Sequence, residues 1–559
     1  MVKRPPNILL LITDQQRQPQ HWPDEPGWVR ELMPNDTEIA RTGLTFNRAF
    51  CNTCMCTPSR ATLFSGQYPA QHGLTLTLTM GDLMPSRGNF PDVMRIAAEM
   101  RSRGEVDRGR LRRALLRGML RSGPRGGNEP ELTAETQTLT RVLRNAGYHV
   151  ALKGKWHLTK PVDGSWSSAD AKRLESEFGF ADWDPPDAGE NAKAENFGGG
   201  IAGTTGEGWD EDYMRGIEEW LGRADLPEPF CLIVSLINPH DVLGYPDSFE
   251  RGGYTLEEVR EIEVPLPPTV DENLSEKPDV HGLMRLGQVA YLGALKTERQ
   301  KRDYVSFYAY LHAQVDKKLG RLLRALGDSR DAESLRARTV IVRTADHGEM
   351  GLSHGGMRQK AFNAYEETIR VPLVVSSPAL FPEPAETDAM GSLVDVLPTI
   401  ATVAGADLSS CDLRGRDLSP VVARKAAPSE ELLSSVEVDL SSLASHPAPA
   451  DSVRESVHFT YDDHQAGTAF QDVAGQPNRV RAVRDGSMKY VLYFDPSGGA
   501  PTEYELYDLE QDRLEVRNLV NMATGEVRDG ADGPKLRAMK EQLEAAAAEC
   551  GTDLPAAFF

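Results

Sequence analysis

Cysteine is scarce. Six residues among 559 cannot build the disulfide framework of a small stapled protein. Three of the six, Cys51, Cys54 and Cys56, crowd one short stretch. A zinc knuckle there would need a second ligand pair at matched spacing, and none follows, so Cys51 and Cys54 read as small packing residues beside Cys56. Long apolar runs are also missing. Asn7-Ile8-Leu9-Leu10-Leu11-Ile12 falls far short of the roughly 20 residues of a membrane span, and no small-residue cleavage site follows it. It reads as a first core strand, and the expected location is cytoplasmic. Basic charge is in deficit: 62 Lys and Arg against 83 Asp and Glu give a net charge of −21. That balance argues against nucleic acid or an anionic membrane as the main partner, and it obliges any anionic substrate to find a locally positive pocket. No internal repeat is present, which excludes a solenoid. What remains is an ordinary globular composition, 40% hydrophobic and 26% charged, in a chain long enough for two domains.

Short apolar runs alternate with helical periodicity along most of the chain. Ile8–Thr13, Tyr148–Leu152, Phe230–Ile237, Thr339–Ala345 and Val371–Ser376 read as strands buried on both faces. Thr138–Ala146, Glu211–Leu221, Tyr304–Leu326 and Leu393–Ala404 read as helices. From Ala423 to Asp451 the composition turns to Ser, Ala and Pro, a boundary signal. Beyond it Arg481–Arg484, Lys489–Leu492 and Tyr504–Asp508 alternate like antiparallel strands, and a last helix covers Lys535 to Ala548. The expected fold is α/β: a large, mostly parallel sheet flanked by helices over residues 1–425, then a smaller α+β unit of antiparallel strands and a helix over 450–559. Residues 85–130 read as an insertion. Between Arg101 and Arg125 nine arginines face only Glu105 and Asp107, with Leu111, Leu115 and Met119 on one face, so a basic amphipathic surface helix or subunit contact is expected.

Four polar clusters each follow the last apolar residue of an expected strand: Asp14-Gln15, Lys155-Trp156-His157, His240 and Asp346-His347. In open α/β sheets ligands gather outside the carboxyl ends of the strands, so these clusters converge on one expected site. A single Asp after a strand is more often a turn or helix cap. Four such clusters together point to a site, with Asp14 and Asp346/His347 as candidate metal ligands. The stretch Cys56-Thr57-Pro58-Ser59-Arg60 reads as a helix start, with Pro58 at the first helical position and Cys56 at the helix N-terminus, where unpaired N–H groups favour an anion.

Cys56-Thr57-Pro58-Ser59-Arg60 resembles the sequence at which type I sulfatases, of the alkaline phosphatase superfamily, have a cysteine oxidised to formylglycine. Gly154-Lys155-Trp156-His157-Leu158 and Asp346-His347-Gly348 are similar to further family segments, in family order. The resemblance implies hydrolysis of a sulfate monoester by the hydrated aldehyde, an alkaline-phosphatase-like fold, and a maturation enzyme that generates formylglycine or an equivalent. It implies one divalent ion bound by Asp14, Gln15, the oxidised Cys56, Asp346 and His347. It assigns Arg60 to ionising the nucleophile, Lys155 to the sulfate, His157 to the base that expels sulfate, and His240 and Lys360 to binding sulfate and protonating the departing oxygen.

The chain departs from the arylsulfatase pattern at two places. Gln15 stands where a second Asp is common, and His347 where Asn is common. Both resemble the choline sulfatase and phosphonate monoester hydrolase branch, which keeps hydrolysis of a phosphonate monoester or phosphodiester as the rival reading. An imidazole and a neutral amide in the donor set suit manganese better than calcium, with magnesium possible. Against the rival, Leu74-Thr75-Leu76-Thr77 after His72-Gly73 lacks an asparagine that branch often carries. Gln67 stands where the extended modification signal more often has Arg or Lys. A non-catalytic binding protein with unmodified Cys56 is the different-class alternative. His72 and His354 are expected to be structural, and Tyr461-Asp462-Asp463-His464 a surface loop. A homo-oligomer is possible. Specificity for the alcohol is expected from loops 74–135, 182–208, 241–285 and 461–475.

Overall fold

The structure is a computed structural model that describes residues 4–18, 31–79, 87–106, 109, 129–435, 438–462, 477–528, 533–555 and 558. Most of the expected basic helix, and Asp463-His464, lie outside these residues. A seven-stranded sheet is built from β1 (Asn7–Thr13), β2 (Gly43–Phe50), β3 (His149–Gly154), β4 (Phe230–Leu236), β5 (Thr339–Ala345), β6 (Leu373–Ser376) and β7 (Ala385–Ser392), in the order β3-β4-β1-β5-β6-β2-β7. The pairs β3·β4, β4·β1, β1·β5 and β2·β7 are parallel, while β6 runs antiparallel to both β5 and β2.

The continuous apolar strands are explained by burial on both faces. Ile8, Leu10 and Ile12 of β1 pack into one core together with Ala61, Leu63 and Phe64 of α1 (Cys56–Ser65). Leu9 and Leu11 pack into another, with Ile217, Trp220 and Leu221 of α2 (Trp209–Leu221) and Val315, Leu319 and Leu322 of α3 (Glu298–Leu326). The period of two sends alternate side chains to opposite layers, so helices on both sides are needed to cover the sheet.

A second sheet, β8 (Val457–Asp462), β9 (Arg479–Arg484), β10 (Met488–Phe494) and β11 (Glu503–Asp508), is antiparallel in the order β11-β10-β9-β8. α4 (Gly533–Cys550) covers it, burying Leu536, Met539 and Leu543 against Val483, Tyr490 and Leu492. This sheet is tied to the loop before α1: Thr460 N donates to Asn52 O at 2.8 Å, and Asn52 Nδ2 donates to His458 O at 3.1 Å. Asn52 Oδ1 in turn accepts from Ser392 Oγ at 2.7 Å, so one side chain locks both sheets beside Cys54 and Cys56.

Three strands, β2, β7 and β8, were not expected, and the last puts Tyr461 and Asp462, expected in a surface loop, at the end of a strand with Tyr461 buried. The helix at Cys56 also differs in detail. It starts at Cys56 itself, which makes Pro58 its third residue rather than its first. The first turn has no intrahelical use for that N–H, so proline is tolerated there. No helix among the described residues is long and apolar enough to cross a membrane.

Candidate active site

The carboxyl ends of four adjacent strands, β3, β4, β1 and β5, line one edge of the sheet, their last residues in register at Gly154↔Ser235 and at Thr13 with Leu236 and Ala345. β2 runs in the same direction as β5 and delivers Cys51–Met55 and then α1 to that edge. Two glycines are forced by close approach. A Cβ on Gly154, whose φ is +116°, would lie 2.0 Å from Ser235 O, and one on Gly348 would lie 2.0 Å from Glu367 O. Lys155 and His347 therefore each adjoin a position where a bare backbone lets the chain turn into the site.

Among the described residues, Asp14, Cys56, Asp346 and His347 offer four donor atoms that all lie within 4.8 Å of one another, and all four side chains are buried. Cys56 Sγ is 3.2 Å from His347 Nε2 and 3.7 Å from Asp14 Oδ1. His347 Nδ1 donates to Gly348 O at 3.0 Å, which leaves the Nε2 lone pair for the cluster. Burial pulls the His347 imidazole down to about 4, so it is neutral and able to ligate.

Arg60 clamps both carboxylates. Its Nε donates to Asp346 Oδ2 at 3.0 Å, Nη2 to Asp14 Oδ2 at 3.1 Å, and Nη1 to Ser235 Oγ at 2.8 Å and to Lys155 O at 3.1 Å. Lys155 Nζ adds an ion pair to Asp14 Oδ2 at 2.6 Å. The two carboxylates respond differently. Burial works against ionising Asp14, but the Lys155 and Arg60 cations outweigh it and hold the group well below the usual carboxylate range. Asp346 is pushed up to about 6 by burial and by the Asp14 charge beside it. Two buried carboxylates, one of them unfavourably ionised by the other, form a donor set that a cation would relieve. The residues present therefore fit a divalent ion.

His157, with φ of +59°, donates from Nε2 to Leu78 O at 2.6 Å, while its buried Nδ1 has no partner among the described residues. Burial and the Lys155 charge lower its proton affinity well below the ordinary imidazole range. His240 follows β4 and likewise presents a buried Nδ1 without a partner among the described residues, in the field of Lys155, Asp14 and Lys360. Lys360 Nζ donates to Gln15 Oε1 at 2.7 Å. The Gln15 amide, expected from the resemblance to face the ion, thus has its oxygen engaged by a lysine, while its Nε2 donates to Glu349 Oε2 at 2.6 Å.

The family model described as Sulfatase matches residues 6–98 and 109–406. The chain belongs to the sulfatase family. Its chemistry is the hydrolysis of sulfate esters, which in this family generally relies on formylglycine and a metal ion. A choline-sulfatase from Rhizobium meliloti is 26% identical over 543 residues, covering 93% of this chain and 84% of the relative. Human arylsulfatase A is 24% identical over 591 residues, covering 98% and 89%. Of solved structures, BT4656 with its substrate D-glucosamine-2-N,6-O-disulfate matches with a TM-score of 0.62 at 18% identity, covering 98% of each chain. The phosphonate monoester hydrolase of Agrobacterium radiobacter matches with a TM-score of 0.60 at 19% identity, covering 98% and 96%. These two structures share the fold.

Several residues that build this sulfatase site carry no sequence signature. Asp187 accepts from Trp156 N at 2.8 Å and His157 N at 2.6 Å, fixing the segment that carries Lys155 and His157. Asp210 accepts from Ile237 N and Asn238 N, and Asp241 accepts from Asn238 Nδ2, Gly198 N and Gly199 N, so the turn into His240 is held from below. These aspartates act mostly on backbone N–H groups distant in sequence, and the Asp- and Gly-rich composition of 182–208 was a signal for Asp187 alone. His72 and His354 lie apart from the donor cluster. His72 Nδ1 accepts from Leu74 N while its other nitrogen meets Thr62 Oγ1, and His354 pairs with Glu272 at 2.7 Å.

Proposed function

We propose that this sulfatase cleaves sulfate monoesters at the cluster around residue 56, with Cys56 in its formylglycine form and one divalent ion held by Asp14, Asp346, His347 and residue 56. The observation that carries this reading is the convergence of those four side chains within 4.8 Å at the carboxyl edge of the sheet. When bound, the ion supplies positive charge to the sulfuryl oxygens and lowers the proton affinity of an adjacent hydroxyl. The hydrated aldehyde supplies a hydroxyl nucleophile together with a second hydroxyl through which the sulfated residue is released without water attacking sulfur.

The chain's own groups supply the rest. Arg60 keeps Asp14 and Asp346 aimed at one point and offsets their charge. Lys155 adds an ammonium beside Asp14, where a sulfuryl oxygen gains from a fixed cation. His157, donating through Nε2 to a carbonyl, holds a free acceptor at Nδ1 and is neutral near pH 7, the state a base needs to take the proton that expels sulfate. His240 is held neutral by burial and Lys155, which suits a sulfate-binding donor. Lys360, with its ammonium turned to Gln15, is then the group that protonates the departing alcohol. Gln15 remains a proposed ligand through the oxygen it shares with Lys360.

The imidazole nitrogen in the donor set supports manganese before calcium, with magnesium third. A maturation enzyme that oxidises the cysteine of Cys56-Thr57-Pro58-Ser59-Arg60 is required, and six free thiols support a reducing, cytoplasmic setting.

His347 and Gln15 favour one second reading, a phosphonate monoester or phosphodiester hydrolase with the same nucleophile and ion. Parallel assays on a nitrophenyl sulfate and a phenylphosphonate monoester decide between them, using protein whose residue 56 has been checked by peptide mass spectrometry. Sulfate preference is the expected result. A large excess of phosphonate turnover would overturn it.

A further inference from the structure

We propose that Glu349 is a positioning residue for Lys360, acting through the side-chain amide of Gln15; the role given to Lys360 rests on the function proposed above. An amide has a donor end and an acceptor end, and it can be placed either way round. A carboxylate only accepts. Glu349 Oε2, 2.6 Å from Gln15 Nε2, therefore obliges the NH2 end to face it, and the opposite end, Oε1, then meets Lys360 Nζ at 2.7 Å. Gln359 Oε1 lies 3.4 Å from the same Nε2, and because Glu349 can only accept and Lys360 only donate, one orientation of the Gln15 amide satisfies both.

Glu349 also grips Lys360 from its backbone end. Its Oε1 accepts from Gln359 N, the residue before Lys360, at 2.9 Å, while Met350 N donates to Gln359 O at 2.9 Å. The lysine's chain position and its ammonium are thus both referred to one carboxylate. That carboxylate is itself immobilised by Tyr304 Oη of α3 at 2.6 Å and by Gly351 N at 3.2 Å. The bracing matches the backbone it holds: Gln15, Gln359 and Phe362 all have φ between +63° and +67°, a region non-glycine residues enter only when their surroundings compel it.

Glu349→Gln reverses one end of this relay. Gln359 N and Gly351 N hold the new amide's oxygen where Oε1 was, so its NH2 faces the Gln15 NH2, the Gln15 amide turns over, and a donor then confronts the Lys360 ammonium. A leaving-group acid matters most for poor leaving groups. On an alkyl sulfate E349Q is therefore expected to lose about 100-fold in kcat, whereas a nitrophenyl sulfate, which departs without protonation, is expected to lose at least about tenfold less. Adding Gln15→Glu restores the relay with its polarity reversed: the amide now at position 349 donates, the carboxylate now at position 15 accepts, and the second oxygen of that carboxylate again receives Lys360. The double variant is expected to recover most of the alkyl-ester loss. Tyr304→Phe removes another donor to the same carboxylate but spares the Gln15 contact, so it should leave the alkyl-to-aryl ratio unchanged. A crystal structure of E349Q should show Lys360 Nζ out of hydrogen-bond reach of residue 15. If E349Q does not fold, Glu349→Asp, which withdraws the acceptor by one methylene, should show the same alkyl-ester bias. Equal losses on both esters, an unmoved Lys360, no recovery in the double variant, or an equal shift of the ratio in Y304F would each overturn the proposal. Should the wild type prefer phosphorus esters, the same ratio is read on alkyl and aryl phosphonate monoesters, so the two proposals fail separately.

Discussion

Cys56 Sγ and His347 Nε2 lie 3.2 Å apart although 291 positions separate them in the chain. The contact exists because β2 and β5 both deliver their chain to the same edge of the sheet, and because Gly348 O takes the other ring nitrogen of His347. This imidazole is therefore the side chain whose replacement most directly alters the proposed ion.

His347→Asn exchanges a nitrogen donor for an amide oxygen. After chelation, wild-type activity is expected to return best with manganese, and the variant's preference to move toward calcium, the harder ion. Metal analysis and reactivation by each ion check this. An unchanged order of metals would remove His347 from the ligand set.

Arg60 balances two fully buried carboxylates. Arg60→Met strips Asp346 of its cation and leaves Asp14 with Lys155 alone, and breaking a buried pair in this way costs about 3–5 kcal/mol. A divalent ion relieves the same repulsion. The thermal midpoint should consequently rise more on adding metal to the variant than to the wild type. A smaller rise would mean that the carboxylates do not share the ion.

His157→Asn puts an amide where the imidazole Nδ1 stands, an acceptor that cannot take up the proton. A fall in kcat of about 100-fold or more is expected, with the sulfated form of residue 56 accumulating in the intact mass during turnover. A fall without accumulation would place His157 before the release step.

His354 reports on the contact between the first sheet's loops and Glu272 and Glu367. Burial opposes its charge, yet those two carboxylates raise it to about 9, above the roughly 6.5 of an unfolded histidine. Its contribution is complete below about pH 6.5 and is lost as pH rises through about 9. At about 1.4 kcal/mol per unit it amounts to about 3 kcal/mol. The gap in thermal midpoint between wild type and His354→Asn should narrow across pH 6.5 to 9, and a constant gap would contradict the charge.

The site was more legible in the sequence than the frame that holds it. Asp14, Lys155, His240 and Asp346 each end a strand apolar enough to be seen as a run, so their common edge followed from one rule of α/β sheets. β2 and β7 were hidden for different reasons. In Gly43–Phe50 the polar Asn47 and Arg48 coincide with a register shift between Phe46 and Arg48, which breaks the alternation. Ala385–Ser392 is an edge strand whose Glu386 and Asp388 face solvent. Asp187, Asp210 and Glu349 were invisible because each satisfies N–H groups brought near only by folding. Gln15 is the instructive case: its residue type suggested a ligand, while its partners depend on a carboxylate 334 positions away.

The proposed chemistry depends most on the chemical state of residue 56. Preparations made with different degrees of maturation can be compared by quantifying formylglycine in the peptide containing residue 56 and measuring sulfate release from a nitrophenyl sulfate by the same samples. Turnover should rise in proportion to the formylglycine fraction and vanish in Cys56→Ala. Undiminished turnover by the unmodified protein, or by Cys56→Ala, would contradict it.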